Sequence, residues 1–192
     1  MRTTDASIRE VIERAIELAR RYAVWRQLSS KATRAQNEAV INEHEDYFET
    51  TVQALFESFV VITYQLYDRR RDTISIHTLI DALATSNQML SCKLASIVSR
   101  NKALLVKVSA IRCGVYAHRS KKHSPEAIFA ASGITSREMK AIVGMTTCIV
   151  ASLTAASGID TEAEIVEEIG RRGICASDDA MLLMETLREH VL

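Results

Sequence analysis

The stretch IRCGVYAHRS, residues 111–120, holds an arginine and a histidine six positions apart, Arg112 and His118. Near neutral pH a histidine can take a proton from one oxygen and return one to another. An arginine is always charged, and its planar fork fits phosphate oxygens, so it can stabilise negative charge that builds in a transition state. Acting on RNA, such a pair would activate a ribose 2′-OH to attack its neighbouring phosphate without a metal. The spacing fits an ordinary helix end with a surface histidine just as well. On an ideal helix six residues turn through about 600°, which leaves Arg112 and His118 roughly 120° apart. Tyr116 and Arg119 line up with Arg112, whereas His118 lies near the stripe of Ile111 and Val115. Gly114, a weak helix residue, sits between the two and offers a place to bend. The alternative is that the arginine and histidine converge only when two copies of the helix meet in a dimer.

The charge around this stretch is one-sided. No acidic residue occurs between Asp81 and Glu126, while Lys93, Arg100, Lys102, Lys107, Arg112, Arg119, Lys121 and Lys122 give the interval a balance of +8. The flanking parts carry −2 and −6, so the chain of 192 residues has a formal net charge of zero that hides a polar layout. Phosphate is the obvious class of partner for such a segment, in which Lys107, Arg119, Lys121 and Lys122 lie beside the motif. The other reading is a solvated helix face whose charges are answered by acids elsewhere in the fold.

Other chemistry finds little support. The cysteines at 92, 113, 148 and 175 form no CxxC pair, and there is no HExxH. No metal site and no cofactor are therefore expected, and the thiols read as reduced, several of them buried, in a cytosolic protein. His44 beside Glu43, Glu45 and Asp46 reads as a charged first turn, because adjacent helix positions diverge around the axis. His77 reads as a surface residue, and His123 as solvent-facing or an RNA contact. Asp68, Arg69, Arg70, Arg71 and Asp72 read as a helix end stitched by local ion pairs.

The elements that must position the motif are helical. One proline, six glycines and a wealth of alanine, leucine, isoleucine and glutamate predict an all-α chain, long enough for one well-buried domain. Apolar spacing of three and four predicts helices over about 7–30 and 43–70, with 31–42 weakly patterned. Ser75 should cap a short third helix ending near Asn87. A fourth helix, about Met89 to Arg119, carries the motif, and HSPE marks its end. Thr135 and Glu138 have capping-box spacing ahead of a helix to Ser157. Two shorter helices follow, about Thr161–Gly170 and Ser177–Val191. The expected architecture is an antiparallel bundle of four to five helices over 1–158, with a short helical C-terminal extension, 159–192, packed on the same domain.

Two localisation features bear on partners. The N-terminus MRTTDASIREVIERA carries charges where a secretory signal would need an apolar run, which predicts a cytoplasmic protein. Ala141 to Ile159 lacks any charge, yet four Thr or Ser side chains fall in its first fourteen positions, so a central bundle helix or subunit contact is preferred over a membrane span.

RCGVYAHRS resembles the signature of the HEPN superfamily: an arginine, four to six residues and a histidine near a helix end in an all-α bundle. The phrase AHRS, with the upstream YQLYDRRRDTISIHTLIDAL, resembles the branch named for abortive-infection protein U2, which has a similar D-x-R-x-D-T-x-S segment before a short helix. The resemblance covers roughly residues 5 to 155. It implies a homodimer whose two motif helices lie side by side and form a composite, metal-independent ribonuclease site, with Arg112 and His118 as the catalytic pair and Lys107, Arg119, Lys121 and Lys122 on the RNA-facing surface. It also implies a setting in bacterial phage defence or a toxin–antitoxin module, with an antitoxin or other regulatory partner. Two positions depart from the pattern. Cys113 stands where a polar residue usually follows the arginine, and Ser120 stands where many HEPN toxins have a tyrosine that a partner nucleotidyltransferase can modify. Cys113 keeps a second reading open, a catalytically inactive module that binds RNA, a nucleotide or a protein partner. A plain structural bundle is the third.

Overall fold

The computed structural model describes residues 5–117 and 133–191, and every regular element among them is helical. In chain order these are α1 (Asp5–Leu28), α2 (Lys31–Gln36), α3 (Glu38–Glu43), α4 (Glu45–Leu66), α5 (Ile76–Leu83), α6 (Gln88–Arg100) and α7 (Lys102–Ile111). A π-helical turn, Arg112–Ala117, continues α7, and α8 (Ser136–Ala156) and α9 (Glu162–Val191) complete the set. This is the all-α bundle the composition predicts. The weakly patterned 31–42 stretch is two single-turn helices, the first capped by the Ser30 hydroxyl accepting from the Thr33 N–H.

α1 is the axial element and packs along α9, α4 and α8. Its buried residues Ile8, Val11, Ala15, Leu18, Ala19 and Tyr22 follow helical spacing. They meet Phe59 and Leu66 of α4 and Ile142 and Ile149 of α8 in the main core. Each fully buried side chain of this size contributes roughly 1.5–3 kcal/mol relative to exposure. A second cluster at the opposite end joins Leu28, Val40, Ile41, Phe48 and Leu55 to Met184 of α9.

The apolar helix α8 is long and apolar enough to cross a membrane by length and composition, and 56% of its most apolar window is buried inside the bundle. Its buried hydroxyls are satisfied within the fold. Thr154 donates to the Val150 carbonyl at 2.8 Å, and Thr146 shares a 2.9 Å bond with the Tyr67 hydroxyl. A buried hydroxyl so paired avoids the desolvation cost of an orphaned polar group.

Three features differ from the sequence expectation. The helix predicted over 89–119 is divided at Asn101, whose side chain donates to the Ile97 carbonyl at 2.9 Å and whose own N–H bonds back to Val98 at 3.1 Å. Asparagine offers the backbone such local partners and so favours helix ends, while the apolar spacing runs on unbroken through Leu94, Val98, Val108 and Ile111. The two short C-terminal helices are one helix of 30 residues. Gly170 and Gly173 do not break it, because Ile165 and Ile169 anchor the stretch in the core and Gly173 is buried against the Ala19 backbone of α1. Finally, all four cysteines are exposed, not partly buried. Two of them sit one helical step from an inward residue: Ser91 and Ile149 face the core, and Cys92 and Cys148 turn away from it.

The local start signals hold. Ser75 and Thr78 form a reciprocal capping box at α5, and Thr135 and Glu138 form another at α8. Thr161 and Glu164 repeat the pattern before α9, with the Thr161 N–H donating to the Glu164 carboxylate at 2.8 Å.

Candidate functional site

α4 ends at Leu66, and the residues that follow, YDRRRD, turn the chain towards α5. Asp68 fixes this turn. It is only 8% exposed, accepts the Arg70 N–H at 3.0 Å, and takes the Arg70 Nε at 2.9 Å. Burial opposes its ionisation, but the bonds from the Arg70 backbone and guanidinium, with a further one from the Arg69 N–H, hold its carboxyl below the usual aspartate range. One ion pair of the predicted set therefore forms, and it leaves Arg69 on the surface without a carboxylate in ion-pair reach among the described residues.

The Ser75 capping box then sets α5 so that His77 faces back on this turn. His77 is half-buried, with its ring edge-on to Tyr67 at 6.4 Å between centroids. Partial burial, and then the positive charge of Arg69, push its imidazole below the ordinary histidine value, against Asp81 and Asp68. Tyr67 is buried, and that burial pushes its hydroxyl well above the usual tyrosine range despite the bond to Thr146.

α7 lies across from these groups and packs on α4. Between them is a cleft of about 500 Å³. Its walls are Tyr64, Tyr67, His77 and the α7 residues Leu105, Val106 and Val108, and Arg69, Arg70 and Lys102 also line it. The expectation that His77 is merely a surface residue is thus corrected: it lines this cleft.

Arg112 sits where α7 gives way to the π-helical turn. Its guanidinium carbon lies 4.5 Å from the ring centroid of Tyr64, a cation–π contact. Arg112 is half-buried, and no carboxylate pairs with it among the described residues. Its orientation comes from an aromatic face, and its N–H donors have no acceptor among the described residues. Gly114 falls inside the π turn, so the bend suspected there takes the form of a widened helix, a rare geometry found disproportionately at functional sites. Angular offsets worked for ideal α geometry do not carry through it.

Of the other residues singled out by sequence, Lys107 is engaged. Its ammonium donates to Glu138 at 2.6 Å and to the Gly133 carbonyl at 3.3 Å, tying α7 to the start of α8. The same Glu138 completes the α8 capping box, and its carboxyl is held low first by Lys107 and then by the Thr135 N–H. One charge of the basic interval is therefore answered by an acid elsewhere in the fold. Cys113 is exposed. His118, Arg119, Lys121, Lys122 and His123, with the HSPE break, lie outside the described residues. Among the described residues no group of three His, Cys, Asp or Glu side chains could hold a metal ion.

Sequence reasoning missed the cleft. Its signal was present in the tyrosines at 64 and 67 and in the D-x-R-x-D-T-x-S segment. What the sequence could not supply is that this segment meets the motif helix, and that Tyr64 is the platform beneath Arg112.

Comparison with known proteins gives the same segments a family. No curated protein and no solved structure matched the chain, whereas a family model described as AbiU2, of the HEPN class, matches residues 2–146. That span holds the YQLYDRRRD turn, the motif and most of α8. The chain belongs to the AbiU2 family of HEPN proteins, an abortive-infection-associated family of all-α fold.

Proposed function

We propose that this protein is a metal-independent HEPN-type endoribonuclease of a bacterial defence or toxin–antitoxin module, with Arg112 and His118 as the catalytic pair. The observation that carries this reading is the state of Arg112: a guanidinium oriented by the Tyr64 ring, with no carboxylate partner among the described residues, at the edge of a cleft lined by further cations. An arginine so held is pre-positioned to fork around phosphate oxygens. His118 serves as the proton acceptor for the ribose 2′-OH and, in protonated form, as donor to the leaving 5′-oxygen, giving a 2′,3′-cyclic phosphate. Arg112 stabilises the charge on the phosphorane-like transition state. Lys107, Arg119, Lys121 and Lys122 supply sequence-independent contacts to the RNA backbone, Lys107 by exchanging its bond to Glu138 for one to phosphate.

The site is completed in a homodimer, where the arginine of one copy works with the histidine of the other. The protein acts in the cytoplasm, with RNA as substrate and an antitoxin or other regulatory protein as restraint. Subunit mixing tests this arrangement. Arg112→Ala and His118→Ala proteins, each inactive alone, should recover part of the wild-type cleavage when unfolded together and refolded, because the mixed dimer rebuilds one intact pair. Recovery would fail if both residues act within one copy. Mapping the products for 2′,3′-cyclic phosphate ends tests the chemistry separately, since a hydrolytic mechanism would leave none.

A further inference from the structure

We propose that the groove along α1, α8 and α9 binds a long-chain carboxylate, with the alkyl chain laid in an apolar slot and the head group at Arg26 and Lys140. The groove has a volume of about 1030 Å³, at the top of the range for small organic ligands. It shares no lining residue with the cleft between α4 and α7, and the proposal is independent of the nuclease reading.

Absent side chains make the slot. Gly144 of α8 and Gly170 of α9 line it, and a Cβ added at either would meet nothing within 4 Å. Ala19 and Ala23 contribute the α1 side. Beneath them the bundle is closed: a Cβ on Gly173 would stand 3.7 Å from the Ala19 carbonyl oxygen, so α9 rests directly on α1. α8 and α9 also touch each other. The space is therefore left by missing side chains and not by parted helices. A further helix, about 10–12 Å across with its side chains, is too wide for it, whereas a single alkyl chain is not. Val166 and Ile174 of the α9 wall are 48% and 63% exposed, so apolar surface stays in water until a ligand covers it.

The two ends of the groove differ in charge. The Tyr22 hydroxyl donates to the Ser136 carbonyl at 3.3 Å, so the end of α1 lies beside the start of α8. That brings Arg26 and Lys140 to one end. Both are exposed and have no ion-pair partner among the described residues. Glu162, in the first turn of α9, marks the other end. An anionic head group is drawn to the cations and kept away from Glu162. An uncharged lipid would leave the cations unused, and a compact anion would leave the slot unused. From Lys140 to Ala151 the α8 wall runs about 16 Å, enough for an extended chain of about twelve carbons.

The test titrates the full-length protein with dodecanoate below its micelle concentration and follows binding by calorimetry. Cys148 lines the groove and Cys92 of α6 does not, and both are exposed, so their alkylation rates give an internal comparison. At about ten times its Kd, dodecanoate should slow alkylation of Cys148 about tenfold and leave Cys92 unchanged. It should bind at least about tenfold more tightly than octanoate, because each buried methylene adds to affinity. It should also bind about fivefold more tightly than dodecyltrimethylammonium, which has the same tail and the opposite charge. Gly144→Leu fills the slot where space is open and should weaken binding by about tenfold or more without lowering the thermal midpoint. Arg26→Gln with Lys140→Gln should weaken it about fivefold. No saturable binding, equal protection of both cysteines, equal affinity for the cationic amphiphile, or indifference to both variants overturns the proposal. Binding to phosphatidylglycerol vesicles without binding of dodecanoate also overturns it, since the face would then be a membrane contact.

Discussion

Tyr64 makes a sharp prediction because its contact with Arg112 is geometric and its removal need not disturb the core. The ring is half-buried and the guanidinium lies 4.5 Å from its centroid. Fully exposed cation–π pairs contribute about 0.5–1 kcal/mol and desolvated ones about 2 kcal/mol, so this pair should contribute about 1 kcal/mol to holding Arg112 in place. Tyr64→Leu keeps apolar bulk without the ring face. Loss of that orientation should lower kcat/KM for RNA cleavage by roughly fivefold, chiefly in kcat, because in the proposed mechanism the arginine acts on charge that develops in the transition state. Tyr64→Phe keeps the ring and should remain within about twofold of wild type. The assay is initial-rate cleavage of a fluorescent oligoribonucleotide in EDTA, with equal thermal midpoints as the folding control. Leucine and phenylalanine variants with equal losses would refute the platform role, as would a leucine variant with wild-type kinetics.

Further outcomes follow from individual residues. Gly170 sits inside α9 with open space where a Cβ would stand, so Gly170→Ala should stabilise the protein by up to about 1 kcal/mol in urea unfolding; a loss of stability would contradict a continuous helix there. Ser75→Ala removes half of the α5 capping box and should cost about 1 kcal/mol in the same assay, and a neutral result would show that the cap does not hold α5. The folded pKa of His77 lies below its ordinary 6.5, so as pH falls through 6.5 the unfolded chain takes up the proton first and stability declines. His77→Gln should flatten that decline in urea midpoints measured between about pH 7.5 and about pH 5.5. An unchanged slope would assign the titration to another group. Asp68 acts at the acid end. Its lowered carboxyl contributes stability that is complete above the ordinary aspartate value of 3.8 and is lost as pH falls through the folded value. Asp68→Asn should remove that dependence.

Much of the fold was legible because the signals that define it are local. Ser75 with Thr78, and Thr135 with Glu138, are three residues apart, and each pair forms the cap its spacing predicts. Apolar spacing of three and four likewise predicted the first two long helices, and Val11 and Phe59 on those faces are buried. The discrepancies arise where a tertiary contact overrides a local tendency. The stretch from Gly170 to Ser177 read as a gap between two helices, but Ile165 and Ile169 on one side and Met184 on the other hold the whole stretch against the bundle. Asn101 interrupts a helix whose apolar face gives no hint of interruption. At the candidate site, Arg112 was legible as a residue type near a histidine, whereas its orientation was not. Tyr64 lies 48 positions earlier in the chain, and only the packing of α4 on α7 brings it beneath the guanidinium. Lys107 shows the same limit in reverse. Its position in a basic interval suggested phosphate, and its nearest partner is Glu138, 31 positions later.

The central claim is that Arg112 and His118 cut RNA without a metal, and one measurement meets it directly. End-labelled bulk RNA is incubated in excess EDTA with purified wild type, Arg112→Ala and His118→Ala proteins prepared identically. Cleavage by wild type that both substitutions abolish is the predicted result. Intact RNA in the wild-type reaction, or equal cleavage by all three proteins, would contradict it.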